Sequence, residues 1–266
     1  MMKMLLKTLW LNAAITLLLP TLLTAQLTFE KEAPPTMDEL ASNHERYVYN
    51  VRYGFLNLGE IEVIVTPDTT WQGMELIHLR TVMRSNSRIP FMGKRDVHYQ
   101  SFSGYTEDWP YSYQFWRDDM HSGEFDRYKI VFDREAGEVI FHEYAEPTDT
   151  LALEEPASGG DVIFLYARQF AGTEQGYQLP VYIDDEKGSV TASNSPQIEQ
   201  RSYDAFPEPI DTYYSEGVAD IDGPFGFTGN FRAWFATDDL RIPLEAHVRV
   251  LFGNVRVSLI HYERLE

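Results

Sequence analysis

The chain has 266 residues, of which 41 are acidic and 22 basic, and it contains no cysteine. The formal net charge of −19 excludes the basic surface that nucleic-acid binding requires. The lack of cysteine excludes thiol nucleophiles, iron–sulfur clusters and cysteine-ligated zinc, so the fold must be stabilised by burial alone.

Residues 1–25 have the features of an export signal. Two lysines form a short basic start, an uncharged apolar run extends from Leu9 to Leu23, and the segment ends in the small residue Ala25. The run is shorter than the roughly 20 residues that span a bilayer. We therefore expect cleavage near Ala25 and a mature protein that is not integral to the membrane.

The mature chain begins with an irregular stretch and then changes to a strand pattern. Residues 26–46 contain two prolines and a polar run, and we expect a flexible lead-in there. From Tyr47 the apolar residues recur at every second position, which predicts β-strands. The turn residues Asn57-Leu58-Gly59 separate two such runs and predict a β-hairpin. We interpret residues 47–266 as a single β-rich domain.

Alternating runs continue through most of the chain. They predict strands at 75–84, 95–104, 111–117, 124–132, 138–144, 177–183, 189–193, 198–203, 212–221 and 231–236. Near the C-terminus, Gly253-Asn254 predicts a two-residue hairpin loop. That turn places Val248 opposite Leu259 and collects the apolar residues of both strands on one face.

Residues 161–170 interrupt the strand pattern. Asp161 can cap a helix that runs from Val162 to Phe170, with Gly172 as its terminator. The first turns have no polar face, which is typical of a buried helix, and the concavity of a curled sheet could hold it. A buried strand is the alternative interpretation of such an apolar run.

Aromatic residues supply the candidate ligand-binding set. A row of them covers residues 105–116, and rings in this arrangement can stack on sugars or line an apolar groove. The same residues also favour ordinary half-buried strands. The candidates are Trp109, Tyr111, Tyr113, Phe115, Tyr166 and Trp234. An alternative role for Trp234 is to seat the last hairpin against the helix, with Arg241 pairing with an acid at the surface.

Motifs for catalysis or metal binding are not found in the sequence. The seven histidines are scattered and the acidic pairs do not match an EF-hand loop, so we assign no catalytic residue, metal or cofactor. Glycoside hydrolysis would need only two facing carboxylates, and the 41 acidic residues offer many such pairs.

Several short segments together resemble one known family. They are Tyr49-Asn50-Val51-Arg52-Tyr53-Gly54 with Gly59, Val131-Phe132-Asp133, residues 161–168, Gln178-Leu179-Pro180-Val181, and residues 234–244 followed by Gly253. From Tyr47 onward the chain resembles the uncharacterised bacterial family called domain of unknown function 3108, which is found in exported proteins. The resemblance implies a β-rich exported domain without an assigned activity. By architecture alone the chain is similar to periplasmic lipoprotein carriers, whose curved sheet wraps helices around an apolar cavity.

These observations predict a mainly β fold, in which one antiparallel sheet curls into a barrel or half-barrel around a buried helix near residues 161–170. We expect a periplasmic or secreted envelope protein that is not an enzyme. Its expected partner is an apolar small molecule or another envelope protein, bound in the concavity of the sheet. A glycan-active enzyme with paired carboxylates and a purely structural envelope protein are the alternatives.

The export signal generates the first testable prediction. Expression in a bacterial host should yield a periplasmic protein whose first residue is Gln26, as determined by N-terminal sequencing. Replacement of the small residue before the cleavage site, Ala25→Arg, should leave the precursor uncut because signal peptidase requires a small side chain there. Recovery of the unprocessed wild-type chain from the cytosol would contradict the prediction.

Overall fold

The computed structural model describes residues 33–89, 93–121, 123–223, 227–250 and 253–265. The predicted export signal and residues 26–32 lie outside these ranges. The strands are β1 (Glu45–Tyr53), β2 (Leu56–Trp71), β3 (Met74–Ser85), β4 (Arg95–Tyr105), β5 (Pro110–His121), β6 (Glu124–Asp133), β7 (Glu138–Glu143), β8 (Glu146–Ala152), β9 (Tyr177–Ile183), β10 (Glu186–Arg201), β11 (Ile210–Gly223), β12 (Phe227–Ala236), β13 (Pro243–Val250) and β14 (Gly253–Arg264); the α-helices are α1 (Met37–Ala41) and α2 (Ile163–Tyr166). None of the helices in these ranges is long and apolar enough to cross a membrane.

All the strands belong to one antiparallel sheet, as predicted. The strand order is β8-β7-β6-β5-β4-β3-β2-β1-β14-β13-β12-β11-β10-β9. Each half of the chain is a meander of hairpins, and the pairing of β1 with β14 joins the two halves in the middle of the sheet. The sheet is not closed by strand pairing, because β8 and β9 remain its edges.

The segment after β8 brings edge strand β9 close to β5. The backbone N–H of Ser112 in β5 donates to the carbonyl of Ala157 (3.1 Å), and the N–H of Tyr182 in β9 donates to the carbonyl of Ser158 (2.9 Å). Gly159 forms an isolated parallel bridge with Tyr182. One short segment therefore spans from β5 to the free edge of β9 and holds the sheet in a curl.

The period of two in the sequence sorts the side chains between the two faces of the sheet. Tyr47, Tyr49, Val63 and Val65 all point to the inner face, where they are buried in the main core. A second core cluster, which includes Phe115, Ile130 and Phe141, lies under β5, β6 and β7. Burial of such apolar faces is the main source of stability in a chain without disulfides.

The predicted hairpin turns are displaced, although the faces are right. The turn between β1 and β2 is formed by Gly54-Phe55, and Gly59 lies inside β2 opposite Val51. A Cβ on Gly59 would be 2.1 Å from the carbonyl oxygen of Arg84, so this glycine is required by the close approach of β3 and not by a turn. The sequence therefore identifies Gly59 correctly as a position that requires glycine, but the reason is the close approach of two strands and not a turn.

The register of the last hairpin also differs from the prediction. Val248 lies opposite Val255 and not opposite Leu259, and Gly253 opens β14 instead of forming the turn. The loop residues 251 and 252 lie outside the described ranges. A shift by an even number of residues keeps every side chain on its face, so the apolar pattern alone could not select between the two registers.

Two strand predictions in the middle of the chain are wrong. The separate runs at 189–193 and 198–203 form the single strand β10, which continues through a bulge between Ser195 and Ile198.

Strand β8 was not predicted. Its sequence is polar, it contains Pro147, and most of its residues are exposed, which is tolerated because β8 is an edge strand.

The predicted buried helix exists in a shorter and more irregular form. It consists of a 3₁₀ turn (Gly160–Val162), α2 and a second 3₁₀ turn (Ala167–Gln169), which we call the helical segment. The N-cap is Gly159, which has no side chain, and not Asp161 as predicted; the Asp161 carboxylate accepts a hydrogen bond from Ser101. The predicted terminator Gly172 has a φ of +82°, but it lies in the turn that follows the segment, which the Thr173 N–H closes by donating to the Phe170 carbonyl (3.0 Å).

A buried ion pair fixes the helical segment inside the sheet. The Arg168 guanidinium donates to the two carboxylate oxygens of Glu45 at 2.8 and 3.2 Å, and both side chains are 0% exposed. Arg168 Nε also donates to the carbonyl of Leu240 (2.7 Å), and the Tyr262 hydroxyl donates to Glu45 (2.9 Å). The segment is thus held by β1, by β14 and by the loop between β12 and β13.

The expected flexible lead-in is packed from Thr36 onward. Thr36 and Glu39 form a capping box at the start of α1, and Met37 and Leu40 are fully buried in the main core. The polar residues that suggested mobility are the cap and the exposed face of this short helix. The described part of the lead-in is therefore part of the folded body.

The buried ion pair generates a stability prediction. Arg168→Met should lower the free energy of unfolding by about 3–5 kcal/mol, because it leaves the Glu45 carboxylate buried without a counter-charge. The double variant Glu45→Leu/Arg168→Met should lose clearly less than the sum of the two single losses, as measured by urea denaturation. Arg127→Met, which removes an exposed pair with Asp118, should change the same quantity by less than about 1 kcal/mol. Strictly additive losses would contradict this account of the pair.

Candidate functional site

The helical segment fills the part of the concavity that lies against β4, β5 and β9. Small residues make room for it: Ser101, Ser103 and Ser112 are fully buried on the inner face. A Cβ on Gly160 would be 2.7 Å from the Ile183 side chain, so the segment touches β9 closely. The predicted open pocket is therefore not found on this side of the segment, where side chains fill the space.

The other side of the helical segment leaves apolar side chains only partly buried. We call Ile61, Phe164, Phe231, Ala233 and Val257 the inner apolar surface; all five pack against the main core without being buried in it. They form a surface across the inner face of β2, β14 and β12 and the exposed side of α2.

Strand registers and ring contacts make this surface continuous. The Phe164 ring packs edge-on against Tyr47, with a centroid distance of 4.9 Å, and against Tyr49 at 6.4 Å. Tyr49 lies opposite Ile61 in β2. On the other side of β1, Val257 lies opposite Ala246 of β13, which in turn lies opposite Ala233 of β12. An apolar ligand placed here would contact one uninterrupted wall.

Two of the predicted ligand-binding residues lie together at the other end of the helical segment. The rings of Trp109 and Tyr166 stack at 5.2 Å, and Tyr166 also packs edge-on against Phe170 and Tyr177. Tyr166 is 2% exposed. These rings seat the segment in the sheet, and Tyr166 has no free face for a ligand.

The predicted aromatic row of β5 is divided between the two faces by a bulge. Phe102 pairs with Gln114 and Ser103 with Ser112, so Tyr113 has no partner in β4. After the bulge Phe115 points inward and is buried in the second core cluster. Tyr111 and Tyr113 remain on the outer face, where the Arg134 guanidinium lies 4.4 Å from the Tyr111 ring centroid.

Trp234 also lies on the outer face, so it does not seat the last hairpin against the helical segment. It is opposite Tyr214 and Glu245 in the neighbouring strands, and the Arg201 guanidinium lies 4.1 Å from its ring centroid. Arg241 is buried and not at the surface; its guanidinium donates to the carbonyl of Thr237 (2.8 Å). The six predicted residues therefore do not form one site.

Sequence reasoning missed the residues that shape the inner surface. Ile61 and Val257 were placed on the correct face, but the alternation gave no reason to separate them from fully buried neighbours. Glu45 was assigned to the flexible lead-in. One signal was available: an arginine such as Arg168 in an otherwise apolar helix needs a buried partner.

Paired carboxylates line a shallow cavity of about 520 Å³ at β5 and β6. Its lining residues are Asp119, His121, Glu124, Phe125, Asp126 and Tyr144. Asp119 and Asp126 lie opposite one another on β5 and β6. Arg95 donates to Asp119 (3.0 Å), and Arg117 pairs with Asp126 (3.2 Å). Each carboxylate of this pair is therefore already engaged by an arginine. Within the described ranges, no three His, Asp or Glu side chains are grouped so that they could hold a metal ion.

The comparisons with known proteins agree with this fold. A family model described as "Protein of unknown function (DUF3108)" matches residues 48–260. Among solved structures, the β-barrel-like protein of domain of unknown function DUF1849 from Brucella abortus is similar, with a TM-score of 0.50 and 11% identity over 84% of this chain and 98% of that one. At this identity the likeness concerns the fold alone. No curated protein matches the chain.

One ionisable group beside the site generates a pH prediction. Burial raises the pKa of Asp161 to about 6 from 3.8, against the opposing hydrogen bond from Ser101. Between these two pH values Asp161 is ionised in the unfolded chain but still protonated in the folded one. Ionisation therefore favours the unfolded state, and the free energy of unfolding falls as the pH rises. Below about pH 4 this penalty is absent, and above about pH 6 it is complete, at roughly 3 kcal/mol.

Asp161→Asn removes this titration. The difference in unfolding free energy between wild type and variant should therefore shift by roughly 3 kcal/mol in favour of the variant between pH 4 and pH 7. Chemical denaturation at several pH values measures it. Asp204→Asn, at an exposed position, should show no such shift, and a parallel pH profile for wild type and Asp161→Asn would exclude the raised pKa.

Proposed function

Because the chain belongs to the DUF3108 family of proteins of unknown function, its role must be inferred from its own geometry, and we propose that it binds an apolar ligand on the inner apolar surface. In this proposal the protein is exported, acts in the bacterial cell envelope and is not an enzyme. The observation that carries the proposal is the continuous apolar wall of Ile61, Phe164 and Val257, whose side chains pack on the core and are still partly exposed.

Physical chemistry supports a concave apolar surface as a binding site. Partly exposed apolar side chains cost free energy in water, roughly 25 cal/mol for each Å² that could be buried. Ligand sites are concave and mainly lined by such side chains.

Export is supported by residues 1–25 and by the family resemblance. The basic start, the apolar run and the small residue at position 25 fit an export signal. An apolar molecule in that compartment needs a carrier or a sink, because water surrounds it on the way between membranes. The inner apolar surface of the curled sheet would provide such a binding site.

A fluorescent apolar probe tests the proposal. The purified mature protein should enhance the fluorescence of N-phenyl-1-naphthylamine in a saturable way. Val257→Asp should weaken this binding about tenfold or more, because the ligand would have to desolvate a carboxylate.

The matched control is Val218→Asp on β11, whose side chain is on the outer face and 46% exposed. This variant should bind the probe as wild type does, and circular dichroism should show that both variants are folded. If the wild type does not bind the probe, or if Val257→Asp binds it unchanged, a purely structural role replaces the binding role.

A further inference from the structure

A large groove lies mainly on the outer face of the sheet, and its lining also reaches Phe231 of the inner apolar surface. Its volume is about 820 Å³, and its lining includes Glu216, Asn230, Arg232, His247, Arg249 and Asn254. These residues come from strands β11 to β14. Arg232 lies between Phe231 and Ala233 in sequence, so alternation places it on the face opposite to theirs.

The Glu245 carboxylate, beside the groove, is already paired with two arginines. Glu245 accepts hydrogen bonds from Arg256 at 2.9 and 3.0 Å, from Arg201 at 3.0 Å, and contacts His247 Nε2 at 2.5 Å. Burial alone would raise the pKa of Glu245, but the bonds from Arg256 and Arg201 outweigh it and hold the pKa below its ordinary value. The Glu216 carboxylate accepts a hydrogen bond from the Tyr214 hydroxyl (2.7 Å).

The groove contains two arginines, Arg232 on β12 and Arg249 on the neighbouring strand β13. Arg232 lies opposite Glu216 on one side and His247 on the other, and Arg249 lies opposite Asn254. Both are exposed, and neither forms an ion pair with any residue in the described ranges. Other arginines pair with carboxylates, as Arg264 does with Asp239, but Arg52, Arg80 and Arg88 also form no ion pair within the described part of the chain.

The groove concentrates positive charge on a chain in which acids outnumber bases 41 to 22. Its lining combines two guanidinium groups with two side-chain amides and only one carboxylate. Charges farther away than about 8–10 Å are screened at physiological ionic strength, so the overall negative charge does not prevent an anion from binding here.

We propose that the outer groove binds a phosphate-bearing ligand. Guanidinium groups donate paired hydrogen bonds to phosphate oxygens in a fixed geometry, and such charge-assisted bonds are about twice as strong as neutral ones. The amides of Asn230 and Asn254 add neutral donors on either side of Arg249. The groove is larger than one phosphate group, so the ligand carries further atoms, as a sugar phosphate or a phospholipid headgroup does.

Two binding assays distinguish the source of the phosphate. Glucose 1-phosphate, measured by isothermal titration calorimetry at low salt, represents a soluble ligand. Sedimentation with phosphatidylglycerol–phosphatidylcholine vesicles, compared with vesicles of phosphatidylcholine alone, represents a headgroup. Binding in either assay should weaken at least tenfold in Arg232→Ala/Arg249→Ala and should decrease as salt is added.

The matched control is Arg80→Ala/Arg88→Ala, which removes two exposed arginines from the other half of the molecule and causes the same change in net charge. This control and Val257→Asp should both retain phosphate binding. The proposal is overturned if the wild type binds in neither assay, if the groove variant binds as the wild type does, or if the control loses binding equally. Because Arg232 and Arg249 lie on the face opposite to Val257, these outcomes do not depend on the apolar probe.

Discussion

The ion pair between Arg168 and Glu45 is the interaction on which the arrangement of this protein depends. It joins residues 123 positions apart and connects the helical segment to the middle of the sheet. Burying two charges is expensive, and such a pair gives little net stability compared with apolar residues of similar size. Its value here is positional, because the charges are satisfied only when β1, β14 and the carbonyl of Leu240 all surround the guanidinium.

The position of the helical segment determines which part of the concavity remains accessible. The segment packs against β4 and β5, where buried serines leave room for it. On that side the Asp161 carboxylate accepts a hydrogen bond from Ser101. On the opposite side, Phe164 projects over Tyr47 and Tyr49 and becomes part of the inner apolar surface. The same contacts that anchor the segment therefore define the edge of the proposed binding surface.

The sequence predicted the faces of the strands well and their partners poorly. Alternation reports the burial of each side chain, and Val248 and Val255 were assigned correctly to one face. Register depends on which residues meet across a turn, and a shift of the Val248 partner from Leu259 to Val255 changes no face. The bulge at Tyr113 is a similar case: one extra residue divided a row that looked continuous in the sequence. The partner of Arg168 was not predictable, since it depends on the pairing of β1 with β14.

Strand β12 shows how one alternation serves two different surfaces. Phe231 and Ala233 belong to the inner apolar surface, whereas Arg232 lines the outer groove and Trp234 lies opposite Glu245 on the outer face. A slip of β12 by one residue would place an arginine in the core and expose a phenylalanine, so the chemistry of both faces fixes the same register. The register of β12 is therefore constrained by both faces, whereas in a sheet with one uniformly solvated face only the buried face constrains the register. It also keeps the two proposed sites separate, because an apolar ligand and a phosphate would approach opposite sides of the same strand.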